Sequence, residues 1–376
     1  MFPATRFTKL LGVEYPILLA PMAGASTAEL TAAVSRGGGL GAFAAAVLSP
    51  DAIHAGIARV RELTDKPFSV NLFILGSTNP EPQQVARALE LLAPIRKELG
   101  LPPGEPLAKY SEDNRAQFDA VLAERPALAS FTFGILTKAQ VEEFHSRGIL
   151  VMGTATTVAE AKAWEVVGAD LICAQGSDAG AHRGTFLGDF EESLVGTMSL
   201  VPQMADAVRV PVIAAGGIMD GRGIAASLML GAAGAQMGTA FLSCPESGIP
   251  EAWRNALMNA RDDQTRVSRI YSGRYARGIV NEFMRKLTPV AGEIPPYPIQ
   301  NALTGPIRRA AGQANRPEYL SLWAGQAASM SRGLPAEELF AALVRETSAV
   351  LQMASGGAIT SASTSASTSA ASSTSG

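Results

Sequence analysis

A polar, glycine-rich segment that contains one histidine is the first part of this sequence whose residue types suit chemistry. It runs from 175 to 184 and directly follows an apolar stretch that is typical of a buried strand. His182 lies within it and is one of only three histidines in the chain. The other two, His54 and His145, fall in stretches with helix character, and we interpret them as structural or solvated. Because reactive side chains concentrate on loops that a rigid scaffold positions, His182 is the candidate catalytic residue.

Two glycine-bearing segments, one βα unit apart, suit a phosphate group. The first ends a predicted strand with Gly216 and Gly217, and the second ends the next predicted strand with Gly238 and Thr239. Glycine lets backbone N–H groups approach an anion closely. In barrels, the loops after the seventh and eighth strands form a recurrent phosphate site. The alternative is that these glycines only permit tight turns.

Amide side chains follow two other predicted strands. Asn71 ends the third strand and Gln175 ends the sixth. An amide both donates and accepts hydrogen bonds, so either side chain could bind the edge of a cofactor ring that carries both kinds of group. The loop Ala20-Pro21-Met22 after the first strand could place backbone groups beside such a ring, although Met22 could equally fill the core. Asp178 is either a catalytic carboxylate or a turn-capping residue.

These candidate residues follow short apolar runs, each of which precedes a helix-like stretch. Eight such units favour a (β/α)8 TIM barrel, which needs about 250 residues; an open sheet is the alternative. The predicted strands are 16–19, 40–44, 68–73, 128–131, 150–153, 170–174, 212–215 and 235–237.

Beyond the barrel units, the chain contains two insertions and a low-complexity tail. We expect one barrel domain over 1–353, with helical insertions near 74–114 and 245–315 that cap the site. Residues 354–376 are almost wholly Ala, Ser, Thr and Gly, so we expect this tail to be disordered.

Composition excludes several classes of partner. The net charge is −3 with a pI near 5.8 and no dense Lys/Arg cluster, which argues against nucleic acid. The most apolar region, 210–243, contains Asp220 and Arg222 near its middle, which argues against a membrane span. Because the N-terminus lacks the apolar core of a signal peptide, we expect a cytoplasmic protein. Cys173 and Cys244 lack metal-ligand spacing, so we expect buried thiols and no metal.

At these residues the sequence resembles the nitronate monooxygenases. The matching segments are 16–24, 38–41, 175–184, 211–218 and 234–239, with further motifs at 271–278 and 321–326. The resemblance implies a barrel that binds FMN non-covalently, with His182 as the active-site histidine. Two residues depart from the family pattern, since Asp178 replaces a usual glutamate and Ala181 a usual glycine. The FMN contacts that the resemblance implies are Asn71, Gln175, Gly180, Gly217, Gln236, Met237, Gly238 and Thr239.

The expected function is the oxidation of alkyl nitronates, of the propionate 3-nitronate type, with FMN and O2. A positive charge at His182 would stabilise the nitronate anion. Arg274 or Arg277 could recognise a carboxylate, although we favour surface placement for both. Two alternatives stay open: an NAD(P)H-dependent flavin reductase of quinones or enoyl thioesters, and a flavin-carrying barrel without catalysis. The oligomeric state, monomer or dimer, is not decided by the sequence.

Overall fold

The computed structural model describes residues 2–76 and 78–356 and places eight parallel strands in one sheet, in the order 17–19, 234–237, 212–215, 171–175, 150–155, 128–132, 68–73 and 41–44. The two edges of this sheet meet, because Leu40 N donates to Ile17 O at 3.0 Å and Leu19 N donates to Leu40 O at 2.9 Å. The predicted (β/α)8 barrel is therefore confirmed, and the open-sheet alternative is wrong. The barrel strands are β1 (Ile17–Leu19), β2 (Gly41–Ala44), β3 (Phe68–Phe73), β4 (Leu128–Thr132), β5 (Leu150–Ala155), β6 (Leu171–Gln175), β8 (Val212–Ala215) and β9 (Gly234–Met237).

A second, antiparallel sheet lies beside the barrel mouth. It consists of β7 (Ala181–His182), β10 (Thr265–Ser268) and β11 (Ala276–Ile279), in the order β10-β11-β7. His182 pairs with Ala276 in this sheet. The small sheet therefore connects the loop after β6 to the region that follows the barrel.

Helices alternate with the barrel strands, and side chains that accept hydrogen bonds from the first turn set where many of them begin. Thr27, Ser49, Thr157 and Asp220 each cap a helix in this way. The helices are α1 (Arg6–Leu11), α2 (Ala28–Arg36), α3 (Pro50–Leu63), α4 (Pro82–Glu98), α5 (Asn114–Glu124), α6 (Lys138–His145), α7 (Val158–Val167), α8 (Thr197–Ala207), α9 (Gly221–Met229), α10 (Thr239–Leu242), α11 (Glu251–Met258), α12 (Glu282–Leu287), α13 (Ile299–Gln313) and α14 (Ala336–Ala354).

The helices outside the barrel pack together in a separate hydrophobic cluster. Leu92 and Ile95 of α4 belong to this cluster, together with Leu303 and Ile307 of α13. Burial of these apolar faces holds the segment after β3 against the segment after β9. We call this cluster of α4 and α11–α13 the helical cap, and it lies over the carboxyl ends of the barrel strands.

The end of the chain returns to the barrel. Helix α14 packs on α9 and α2, and its Phe340 is buried in the barrel's hydrophobic cluster. The division into a domain over 1–353 and a disordered tail over 354–376 stays a prediction, since 357–376 lie outside the described residues. Within the described part of the chain, no helix is long and apolar enough to cross a membrane.

Candidate active site

A cavity of about 790 Å³ lies between the carboxyl ends of the barrel strands and the helical cap. All eight barrel strands contribute to its lining, through residues of the strand itself or of the segment that follows it, as expected for a barrel enzyme. Met237 is an exception among the predicted site residues, because its side chain is 1% exposed and belongs to the barrel core. The predicted site residues that line the cavity are Ala20, Pro21, Met22, Asn71, Gln175, Gly180, His182, Gly216, Gly217, Gln236, Gly238 and Thr239.

The glycine-bearing loops converge at one end of the cavity. Gly216 and Gly217 have φ values of 124° and 69°, a region that favours glycine. A Cβ on Gly216 would lie 2.6 Å from Oγ1 of Thr197, and one on Gly180 would lie 2.5 Å from the backbone N of Gly325. Gly325 N also donates to Oγ1 of Thr239 at 2.9 Å. We call this convergence of loops the glycine cradle; a side chain at Gly180 or Gly216 would collide with the neighbouring loops, so glycine allows them to pack this closely.

Asp178 stabilises the cradle from outside the cavity. One of its carboxylate oxygens accepts a hydrogen bond from Thr197 N, the first residue of α8, at 2.6 Å. The Thr197 hydroxyl in turn donates to Gly216 O at 3.1 Å. Because Asp178 does not line the cavity, the structure favours its capping role over a catalytic one.

The amides on the cavity floor differ in how many partners they have. Gln175 is bonded at both ends: its Nε2 donates to His182 O at 2.9 Å, and its Oε1 accepts from Gly184 N at 2.8 Å. Asn71 donates to Ser130 O and Oγ at 3.1 and 3.0 Å. In contrast, Oε1 of Gln236 is buried without a partner among the described residues. A buried acceptor of this kind needs a donor from a ligand or an ordered water.

His182 stands in an aromatic part of the cavity. Its ring centroid lies 5.4 Å from those of Phe133 and Trp323 and 5.7 Å from that of Tyr297. Its Nε2 lies 2.8 Å from Oγ of Ser272. Burial, together with the charges of nearby arginines, lowers the pKa of His182 to about 3. The imidazole is therefore neutral at pH 7, and the positive charge expected at this position belongs to its neighbours.

The backbone around His182 adopts unusual conformations. Ala181 has a φ of 58° and Phe133 a φ of 81°, both in the left-handed region. Such angles cost energy in any residue other than glycine and tend to occur at functional sites. The left-handed angle gives a physical reason for the glycine that the family motif usually has at the position of Ala181.

Arg274 and Arg277 hold the loop after β6 and do not line the cavity. Nε of Arg274 donates to Arg183 O at 3.1 Å, and its guanidinium lies 4.1 Å from the ring centroid of Phe133. Arg277 donates to Ser177 O at 3.1 and 3.0 Å. Both are partly buried, so the prediction of surface placement is wrong, and neither is placed to bind a ligand's carboxylate in the cavity.

Arg308 of α13 is the site residue that the sequence reasoning missed. Its Nη2 donates to O and Oδ1 of Asn301 at 2.7 and 2.9 Å, while its Nε is buried without a partner in the described structure. Burial lowers the pKa of Arg308 to about 10, which leaves it charged at pH 7. Asn301, Gly305, Arg308 and Gly312 recur at helical spacing and all line the cavity, a pattern that was visible in the sequence.

The charge of the cavity is one-sided. Its charged lining residues in the described structure are Arg308 and Arg309, and no Asp or Glu lines it. A lining with this balance complements an anionic ligand.

The comparisons with known proteins agree with this geometry. A family model described as nitronate monooxygenase matches residues 4–346. The chain belongs to the nitronate monooxygenase family. It is 42% identical over 355 residues to a probable nitronate monooxygenase of Staphylococcus haemolyticus, covering 93% of this chain and 99% of that protein. A probable nitronate monooxygenase of Staphylococcus saprophyticus is also 42% identical, over 352 residues, with the same shares covered.

Two solved structures are similar over nearly their whole length. Nitroalkane oxidase from Streptomyces ansochromogenes is 38% identical, with a TM-score of 0.85 over 93% of this chain and 99% of that one. FabK from Thermotoga maritima is 28% identical, with a TM-score of 0.74 over 94% of this chain and 99% of that one. As a member of this family, the chain is an oxidoreductase.

Proposed function

We propose that this nitronate monooxygenase family member oxidises alkyl nitronates of the propionate 3-nitronate type, with FMN as cofactor and O2 as oxidant. The proposal depends on one observation: a single cavity contains the glycine cradle, a neutral His182 and Arg308. A nitronate is an anion, and a lining with arginines and no Asp or Glu in the described structure suits it.

The cavity lining fits FMN. The backbone N–H groups of Gly217 and Gly238 would hold the phosphate, which needs close approach of the main chain. The unpaired Oε1 of Gln236 would accept from an N–H of the flavin ring. The loop 20–22 and Asn71 would contact the rest of the ring. When bound, FMN supplies the capacity to accept electrons from the substrate.

The protein's own residues would bind the substrate and exclude water. The rings of Phe133, Tyr297 and Trp323 surround His182 and would exclude water from the reacting carbon of a bound substrate. Arg308 would bind the carboxylate of propionate 3-nitronate through its free Nε–H. His182, being neutral, is able to accept a proton from a neutral nitroalkane.

The alternative of an NAD(P)H-dependent reductase is tested by anaerobic mixing. The flavin-loaded protein is mixed with NADH, with NADPH and with propionate 3-nitronate in separate experiments, and flavin absorbance is followed. We expect rapid bleaching by the nitronate and none by the nicotinamides. Bleaching by NADH or NADPH alone would favour the reductase, and bleaching by none of the three would leave a barrel without this catalysis.

A further inference from the structure

The motif at 271–278 contacts the catalytic candidate both through its backbone and through a side chain. It contains the first three residues of β11, and Ala276 and Arg277 pair with His182 and Ala181 in the small sheet. Ser272 precedes this strand and is only 1% exposed. The motif therefore fixes the backbone of His182 and places a buried hydroxyl against its ring.

The hydroxyl of Ser272 has one proton and several neighbours. Its Oγ lies 3.1 Å from the carbonyl oxygen of Arg274 and 2.8 Å from Nε2 of His182, and it accepts from Arg274 N at 3.4 Å. A carbonyl oxygen only accepts hydrogen bonds. If the hydroxyl proton pointed at His182, lone pairs of Ser272 and of the Arg274 carbonyl would face each other at 3.1 Å. The proton therefore goes to the carbonyl, and Nε2 of His182 must be the donor to Ser272.

We propose that Ser272 is a positioning residue that holds His182 in the Nε2–H tautomer, so that Nδ1 is the atom that accepts a proton from substrate. Nδ1 makes no hydrogen bond to any residue of the described structure, and His182 lines the cavity. In histidines, the hydrogen bond that one ring nitrogen makes commonly decides which nitrogen carries the proton.

The role would matter for one class of substrate. A neutral nitroalkane must lose an α-proton: the C–H bond breaks, its electron pair moves into the nitro group to give the nitronate, and an Nδ1–H bond forms on His182. A nitronate has already lost this proton. The step makes His182 a cation, whose Nε2–H bond to Ser272 becomes charge-assisted and hence stronger.

This inference rests on the proposed function, and its test separates the two. We would measure Ser272→Ala, Ser272→Thr and, as a matched control outside the cavity, Ser268→Ala on β10. For Ser272→Ala, kcat/KM with nitroethane should fall roughly 10- to 150-fold, the equivalent of one charge-assisted hydrogen bond. Turnover of ethyl nitronate should stay within about twofold on the same reasoning. Ser272→Thr, which keeps the hydroxyl, should restore most of the loss.

Nitrogen-15 NMR of the imidazoles gives a readout that a merely structural role would not move. The chain has only three histidines, so His182 is assigned by substitution. We expect Nε2–H in the wild type and in Ser272→Thr, and a mixture of tautomers in Ser272→Ala. Three results would overturn the inference: a wild-type Nδ1–H signal, an unchanged tautomer in Ser272→Ala, or equal losses on both substrates. If the alanine variant does not fold, the spectra of the wild type and of Ser272→Thr decide the question. Absence of ethyl nitronate turnover by the wild type would instead contradict the proposed function.

Discussion

Acidification should destabilise this protein through His182 in particular. The pKa of His182 is about 3 in the folded protein, against an ordinary value of 6.5. As pH falls below 6.5, the unfolded chain binds this proton while the folded protein does not, so stability present at higher pH is lost. The proton binds to the unfolded chain over the roughly 1.5 pH units between 6.5 and 5. At about 1.36 kcal/mol per unit, the free energy of unfolding falls by about 2 kcal/mol between pH 7 and pH 5.

The assay is urea unfolding at both pH values, followed by tryptophan fluorescence, for the wild type and for His182→Gln. Glutamine keeps a hydrogen-bonding group near Ser272 and cannot titrate. The wild type should lose about 2 kcal/mol more than the variant between pH 7 and pH 5. His145→Gln, at the end of α6, reports any effect of removing a histidine elsewhere. Equal losses in the wild type and in His182→Gln would refute the reasoning that burial keeps this imidazole neutral.

Five further substitutions test other parts of the site. Gly217→Asp and Gly238→Asp should each abolish most FMN retention, because a carboxylate would face the phosphate; full flavin occupancy in both would place the phosphate elsewhere. Arg308→Ala should lower kcat/KM for propionate 3-nitronate roughly 10- to 150-fold more than for ethyl nitronate, which lacks the carboxylate, and equal losses would contradict a carboxylate contact. Asp178→Ala should cost about 1.5–3 kcal/mol in urea unfolding with kcat retained in the folded fraction; a catalytic role predicts the reverse. Ala181→Gly should raise stability by about 1 kcal/mol by relieving the left-handed angle, and a lower Tm would argue against strain there.

The barrel could be predicted from sequence because its information is local. Each strand is a short apolar run buried on both faces, so its position follows from composition alone. The tight backbone turn after β8 was predictable for the same reason, because φ values of 124° and 69° at Gly216 and Gly217 admit few residues other than glycine.

The remainder of the site depends on tertiary contacts that local patterns do not encode. Arg308 reaches the cavity only because α13 of the cap packs over the barrel, a contact between segments far apart in the chain. The amide of Gln175 is hydrogen-bonded at both ends to the loop that carries His182, and these bonds could not be predicted from the strand alone. Its contact with the cofactor stays a prediction.

Oxygen consumption by the purified, FMN-loaded protein tests the central claim most directly. Propionate 3-nitronate is added to the protein in an oxygen electrode, with and without NADH, and ethyl nitronate serves as the comparison without a carboxylate. The account predicts rapid oxygen uptake that depends on the nitronate and on bound FMN and does not change with NADH. Oxygen uptake that requires NADH, or none with either nitronate despite full FMN occupancy, would contradict it.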